Sequence, residues 1–192
     1  APGERGHRFN DGTTDPRGRF LAGTMPLAGP SEDDATGTVH VFDRGESRPW
    51  MDGFHTINGQ AFSPDGRTYY ASDSFPPVRK VWAWDYDTDT GEARNRRLFF
   101  DTAGVAGRPD GAAMDADGCY WLAGVGGWQL YRITPVGRLD MTIDLPVERP
   151  SRPAFGGAGM DTIFLTSIGV PDDPRQPQAG GIFALRVPGM TG

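Results

Sequence analysis

A turn signature recurs along this chain at nearly even spacing, and it constrains the fold more than any other feature. The stretches "DPRGRFLAGT", "SPDGRTYYASDS" and "DADGCYWLAGVGG" each close a tight turn on a glycine, at Gly18, Gly66 and Gly118, which are 48 and 52 residues apart. A degenerate fourth copy reads "AFGGAGMDTIFLTS" over 154–167. Each copy is followed by a second strand pair: "GTVHVFD" (37–43), "KVWAWDYDTDTGEARNRRLFF" (80–100), "GWQLYRITPVGRLDMTIDLP" (127–146) and "GGIFALRV" (180–187). A unit therefore reads strand, D-x-x-G turn, strand, loop, strand, turn, strand. Four strands per ~40–50 residues is the pattern of a propeller blade, whereas a helical solenoid would show a 3.6-residue apolar period. The expectation is an all-β chain: one β-propeller domain over residues 1–192, with about four blades.

Composition agrees with that reading. With 28 glycines and 17 prolines in 192 residues, the share of turn formers is about twice the ordinary one. Aromatics at 11% supply enough bulk for a core. The net charge of −6 and the lack of a Lys/Arg stripe argue against nucleic acid, which needs a basic footprint. No run of ~18 apolar residues is present, so no membrane-spanning helix is expected. The sole cysteine, Cys119, excludes an intrachain disulfide and points to a reducing, cytoplasmic setting. Cys119 lies within a strand and reads as core. Three scattered histidines, His7, His40 and His55, leave no Cys/His zinc cluster. His55 lies near Asn58 but reads as a surface histidine.

Just ahead of each turn the chain places an Asx residue at a strand entrance: Asn10 in "RFNDG", Asn58 in "INGQ" and Asp110 in "RPDG". Asn, Asp and Gly disfavour strand interiors, and a single Asx-Gly is ordinarily a turn. These three repeat at the unit spacing of 48 and 52 residues, so they occupy equivalent places in successive blades. The first strand of a blade lines the central channel, so the three side chains should converge on one axis from positions up to 100 residues apart. The fourth unit is a control: its stretch "ERPSRPAFGG" offers Ser151 or Arg152 and no Asx. A purely structural need would have kept Asx in all four.

Asn and Asp oxygens suit calcium, magnesium or manganese, with zinc or iron(II) less expected. The acidic run Asp85, Asp87, Asp89 lacks EF-hand glycine spacing and the bidentate Glu, and reads as a hairpin turn. No G-x-S-x-G, H-E-x-x-H or P-loop is present.

Laid in order, "RFNDGTTDPRGRFLAGTM", "NGQAFSPDGRTYYASDS", "DYDTDTGEARNRRLF", "RPDGAAMDADGCYWLA" and "RQPQAGGIFAL" resemble the gluconolactonase/regucalcin family. This is the senescence-marker-protein, gluconolactonase and luciferin-regenerating-enzyme group. The resemblance runs over essentially the whole chain. It implies a six-bladed propeller with one divalent metal on its axis, calcium foremost, and hydrolysis of sugar lactones. The implied metal ligands are a first-blade Glu, Asn58 and Asp110, with Asp110 also the candidate general base. Arg8 and Asn10 are the implied substrate contacts. At ~48 residues per unit the chain reads as blades three to six, so the first-blade Glu falls outside it. Glu4 is too close to Arg8 to replace that ligand. Pro26-Leu27-Ala28 stands where some members carry an acidic pocket residue. Blades curved for a ring of six would leave sheet edges open to self-association. The competing expectations are a non-catalytic calcium-binding propeller and an esterase acting on non-sugar substrates.

Overall fold

The computed structural model describes residues 6–33, 35–171 and 173–192, and Glu4 lies outside them. Four antiparallel sheets follow one another along the chain. The first holds β1 (His7–Thr14), β2 (Phe20–Pro26), β3 (Gly37–Asp43) and β4 (Glu46–Phe54). The second holds β5 (Ile57–Phe62), β6 (Thr68–Asp73), β7 (Lys80–Asp87) and β8 (Glu92–Asp101). The third holds β9 (Arg108–Met114), β10 (Tyr120–Val125), β11 (Gln129–Ile133) and β12 (Leu139–Asp144). The fourth holds β13 (Pro150–Gly156), β14 (Thr162–Ser167) and β15 (Ile182–Leu185). This is a four-bladed propeller arrangement. The fourth unit departs from the expected four strands: among the described residues its sheet has three. The segment "GGIFALRV" supplies only β15, which leaves its sheet at Leu185.

The recurring turn forms for the same reason each time. At the first copy Gly18 N donates to the Asp15 carbonyl at 3.0 Å, and Gly18 takes φ +85°, a left-handed value that favours glycine. The Asp15 carboxylate then accepts from the amides of Arg17 (2.9 Å) and Arg19 (2.8 Å). Asp115 repeats this: Gly118 N reaches its carbonyl at 3.0 Å and Cys119 N its carboxylate at 2.8 Å. In the second copy Ser63 Oγ stands in, accepting from Thr68 N at 2.9 Å. A short polar side chain plus one left-handed glycine closes each hairpin. Asp87 likewise accepts from the amides of Asp89 and Thr90, so the acidic run is the hairpin turn that its spacing suggested.

Side chains alternate across a strand, and each middle strand feeds two cores at once. On β6, Tyr69 and Ala71 pack with Leu21, Val39 and Val41 of the first sheet, while Tyr70 packs with Tyr120, Leu122 and Tyr131 of the third. On β10, Trp121 and Ala123 turn the other way, onto Ile163 and Leu165 of the fourth. Burial on both faces explains why these strands read as unbroken apolar runs. Cys119 is buried at the turn into β10, in accord with its reading as core.

Candidate active site

The inner strands β1, β5, β9 and β13 do not run straight. In β1 two residues, Asn10 and Asp11, stand against one on β2, because Phe9 pairs with Thr24 and Gly12 with Ala22. β5 does the same at Gly59–Gln60, β9 at Asp110–Gly111 and β13 at Ser151–Arg152. Such bulges re-aim side chains and are frequent beside active sites. The fourth unit bulges without an Asx residue, so the bulge itself does not require Asn or Asp.

The bulges bring the predicted residues together. Arg8 Nη1 donates to Asn10 Oδ1 at 3.1 Å, and Arg8 is otherwise exposed. Asn10 Nδ2 donates to the Ile57 carbonyl (2.8 Å) and to Asn58 Oδ1 (2.9 Å). Asn58 is buried, with its amide oxygen also 3.2 Å from Asp110 Oδ1 and 3.2 Å from the Ile57 carbonyl oxygen. Turning the amide over would place its N–H on those two oxygens but set it against the Asn10 amide nitrogen. The first orientation leaves two oxygen–oxygen contacts and the turned one a single contact between nitrogens, so the turned amide, donating to Asp110 and the Ile57 carbonyl, is the better satisfied. With its oxygen towards Asp110, the Asn58 amide stands beside the Asp110 carboxylate and the Ile57 carbonyl, oxygens of the kind that fit a hard divalent cation. Among the described residues no group of three His, Cys, Asp or Glu that could hold a metal ion gathers.

Burial pushes the Asp110 carboxyl up to about 7, with the nearby Asp11 charge adding to the effect and Arg108 and Arg152 opposing it. Asp11 is raised as well, by burial first, against the opposing charge of Arg152. Composition and spacing left Asp11 without a role, although it sits in the same bulge as Asn10. Its carboxylate accepts from Gln60 N at 3.0 Å and pairs with the Arg152 guanidinium. Gln60 Nε2 returns a bond to the Asp11 carbonyl at 2.7 Å. Two buried tyrosines hold the β5 bulge: Tyr69 donates to Gln60 Oε1 (2.8 Å) and Tyr120 to the Gly59 carbonyl (2.6 Å). Burial raises both phenols well above their ordinary range, so both stay donors.

Of the two fourth-unit residues left open by the sequence, Arg152 enters the site. Ser151 Oγ instead faces Thr166 Oγ1 at 2.8 Å. Arg152 also lines an open hollow of about 360 Å³ between the inner strands, with Thr13, Gln60, Ala112 and Phe155. His55 is not a free surface histidine: its ring stacks on Phe75 at 4.5 Å, and Nδ1 lies 3.1 Å from Asp73 Oδ2.

Comparison with known proteins agrees with this architecture. Residues 1–169 match the family model described as SMP-30/Gluconolactonase/LRE-like region. The chain is 36% identical to regucalcin of Xenopus laevis, over 97% of this chain and 64% of that protein. It is 37% identical to a 6-deoxy-6-sulfogluconolactonase of Pseudomonas putida, over 94% of this chain and 62% of that protein. A luciferin-regenerating enzyme superposes with a TM-score of 0.88 at 27% identity, over 100% of this chain and 65% of its own. The calcium-binding regucalcin of Agrobacterium tumefaciens gives 0.86 at 28%, over 95% and 62%. The chain thus spans less than two-thirds of the length of the relatives it matches. The blade repeat, the three-core packing and these matches lead to one assignment: the chain belongs to the SMP-30/gluconolactonase/luciferin-regenerating-enzyme-like family.

Proposed function

We propose that these residues form part of a divalent-cation-dependent lactonase site that opens the cyclic ester of a sugar acid to the aldonic acid. The observation that carries this is the buried Asn58 side-chain amide set 3.2 Å from Asp110 Oδ1, with Asn10 2.9 Å from Asn58 and Arg8 bonded to Asn10. The sulfogluconolactonase relative supports the substrate class, and the calcium-binding regucalcin supports calcium as the first cation to test. Asn58 and Asp110 would hold the cation, and the remaining coordination comes from outside this pair. When bound, the cation polarises the lactone carbonyl and stabilises developing negative charge.

The chain's own groups do the rest. Arg8 and Asn10 donate to lactone oxygens and orient the ring. Asp110 turns Oδ1 to Asn58, which leaves Oδ2 to take a proton from the attacking water. As the ring C–O bond breaks, that proton passes to the departing alkoxide oxygen, so lactone plus water gives hydroxy acid. A carboxyl with a proton affinity near neutrality suits this exchange, and cation binding moves its working range below 7.

The test is a pH-stat assay of glucono-1,5-lactone, xylonolactone and arabinonolactone opening, read above the spontaneous blank. EDTA should remove the enzymatic rate, and Asp110→Asn should lower it by about 10²-fold or more. Turnover that survives both treatments would sink the proposal. Tight cation binding with no turnover would favour a non-catalytic calcium-binding propeller instead.

A further inference from the structure

Two carboxylates, Asp11 and Asp110, face one channel beside Asn58, yet only one is free. Asp11 has both oxygens committed: Oδ1 to the Arg152 guanidinium and Oδ2 to Gln60 N at 3.0 Å. Asp110 keeps its carboxyl toward the Asn58 amide and accepts from the Gly111 amide, and among the described residues it forms no ion pair. Arg152 reaches Asp11 from the opposite inner strand, and the route is built for it. A Cβ on Gly111 would come within 2.6 Å of Arg152 Cδ and 3.0 Å of Arg152 Cβ. The Ser151 carbonyl oxygen lies 2.7 Å from the same point, so Gly111 admits both the β13 backbone and the arginine that crosses it. We propose that Arg152 is a positioning residue: by occupying Asp11 it makes Asp110 the carboxylate open to cation and water.

The inference rests on the proposed cation site and deepens it. A charge-assisted pair with a largely buried carboxylate is strong even where the arginine is half-buried, and removing one partner releases the other to seek a new one. Asp11 lies one residue from Asn10, whose amide already touches Asn58. Freed of Arg152, Asp11 is the available oxygen donor for a cation held by Asn58 and Asp110. Arg152 thus sets both the charge and the ligand choice without touching the cation.

Isothermal titration with calcium chloride separates the outcomes, with circular dichroism confirming that each variant is folded. Arg152→Met should bind calcium about tenfold more tightly than the unaltered chain, since one positive charge is lost and one carboxylate gained. Asp110→Asn should abolish binding, whereas Arg152→Met/Asp110→Asn should recover it, and adding Asp11→Asn should remove it again. Arg152→Lys should restore the unaltered behaviour. A merely structural role for Arg152 would not let Asp11 rescue a missing Asp110. A folded Arg152→Met/Asp110→Asn variant that fails to bind, or an Arg152→Met variant that binds no better, overturns the inference. If the unaltered chain binds no calcium, the proposed cation site falls and the inference with it, whereas calcium binding that Arg152→Met leaves unchanged overturns the inference alone.

Discussion

At the scale of single residues, the site is a problem of unmatched charge. Asp110 is pushed up to about 7 chiefly by burial, so folding disfavours its ionised form. Its folded proton affinity lies above the unfolded one, and the penalty is therefore absent near pH 4 and grows as pH rises towards 7. In EDTA, Asp110→Asn should be more stable than the unaltered chain at pH 8 by about 1–2 kcal/mol, with the gap closing near pH 4. Urea unfolding at the two pH values checks this, and an equal gap at both would mean that ionisation is not the cause. Asn58 and Asp110 were legible in the sequence because they recur at the unit spacing. The pairing of Asp11 with Arg152 was not. Each holds the second bulge position of its unit, but which such positions meet across 141 residues is set only when the sheets pack.

At the scale of elements, the hairpin turns carry more than geometry. Asp115 is buried and accepts from Cys119 N (2.8 Å), Trp121 Nε1 (2.9 Å) and Arg132 Nε (2.7 Å). Asp115→Ala strips a largely buried guanidinium of its innermost partner, although Asp117 and Asp140 remain bonded to it. The expected loss is about 3–5 kcal/mol, read as a lower urea midpoint at unchanged slope. A loss below about 1 kcal/mol would show that Asp117 and Asp140 suffice. The outer strands are guarded against pairing with other chains. β4 carries Pro49, and β8 carries Arg94, Arg96 and Arg97, with Arg96 lying 4.0 Å over the Trp82 ring. The turns were legible, since Asp-x-x-Gly is a local code. The bulges were not, since a two-against-one register exists only once strands pair.

At the scale of the whole molecule, three apolar cores join four sheets and leave the outward faces of the first and last sheets uncovered. The first shows Phe9 and Phe20, 44% and 47% exposed, in ring contact with Phe42. The last shows Phe164 and Ile182, 42% and 73% exposed. Neighbouring exposed apolar side chains favour association. Sedimentation velocity should show concentration-dependent self-association of this chain, reduced by Phe20→Glu with a stability change under about 1 kcal/mol. Unchanged sedimentation in the variant would exclude this face as the contact. No helix among the described residues is long and apolar enough to cross a membrane.

The sequence alone determined the blade count, the turn chemistry and the strands that carry Asn10, Asn58 and Asp110. Each follows from local spacing: period-two alternation, a left-handed glycine and a unit length repeated along the chain. Pairing set Asn58 one residue ahead of its bulge, whereas Asn10 and Asp110 lie within theirs. Tertiary structure decided that Arg152 rather than Ser151 enters the channel, that Asp11 is the carboxylate already taken, and that His55 stacks on Phe75 instead of facing water. The Asp11–Arg152 meeting arises from the packing of separate sheets 141 positions apart. The Ser151 and His55 contacts arise from strand pairing within a sheet and around Asp73, which fixes side-chain direction only once the strands are in register.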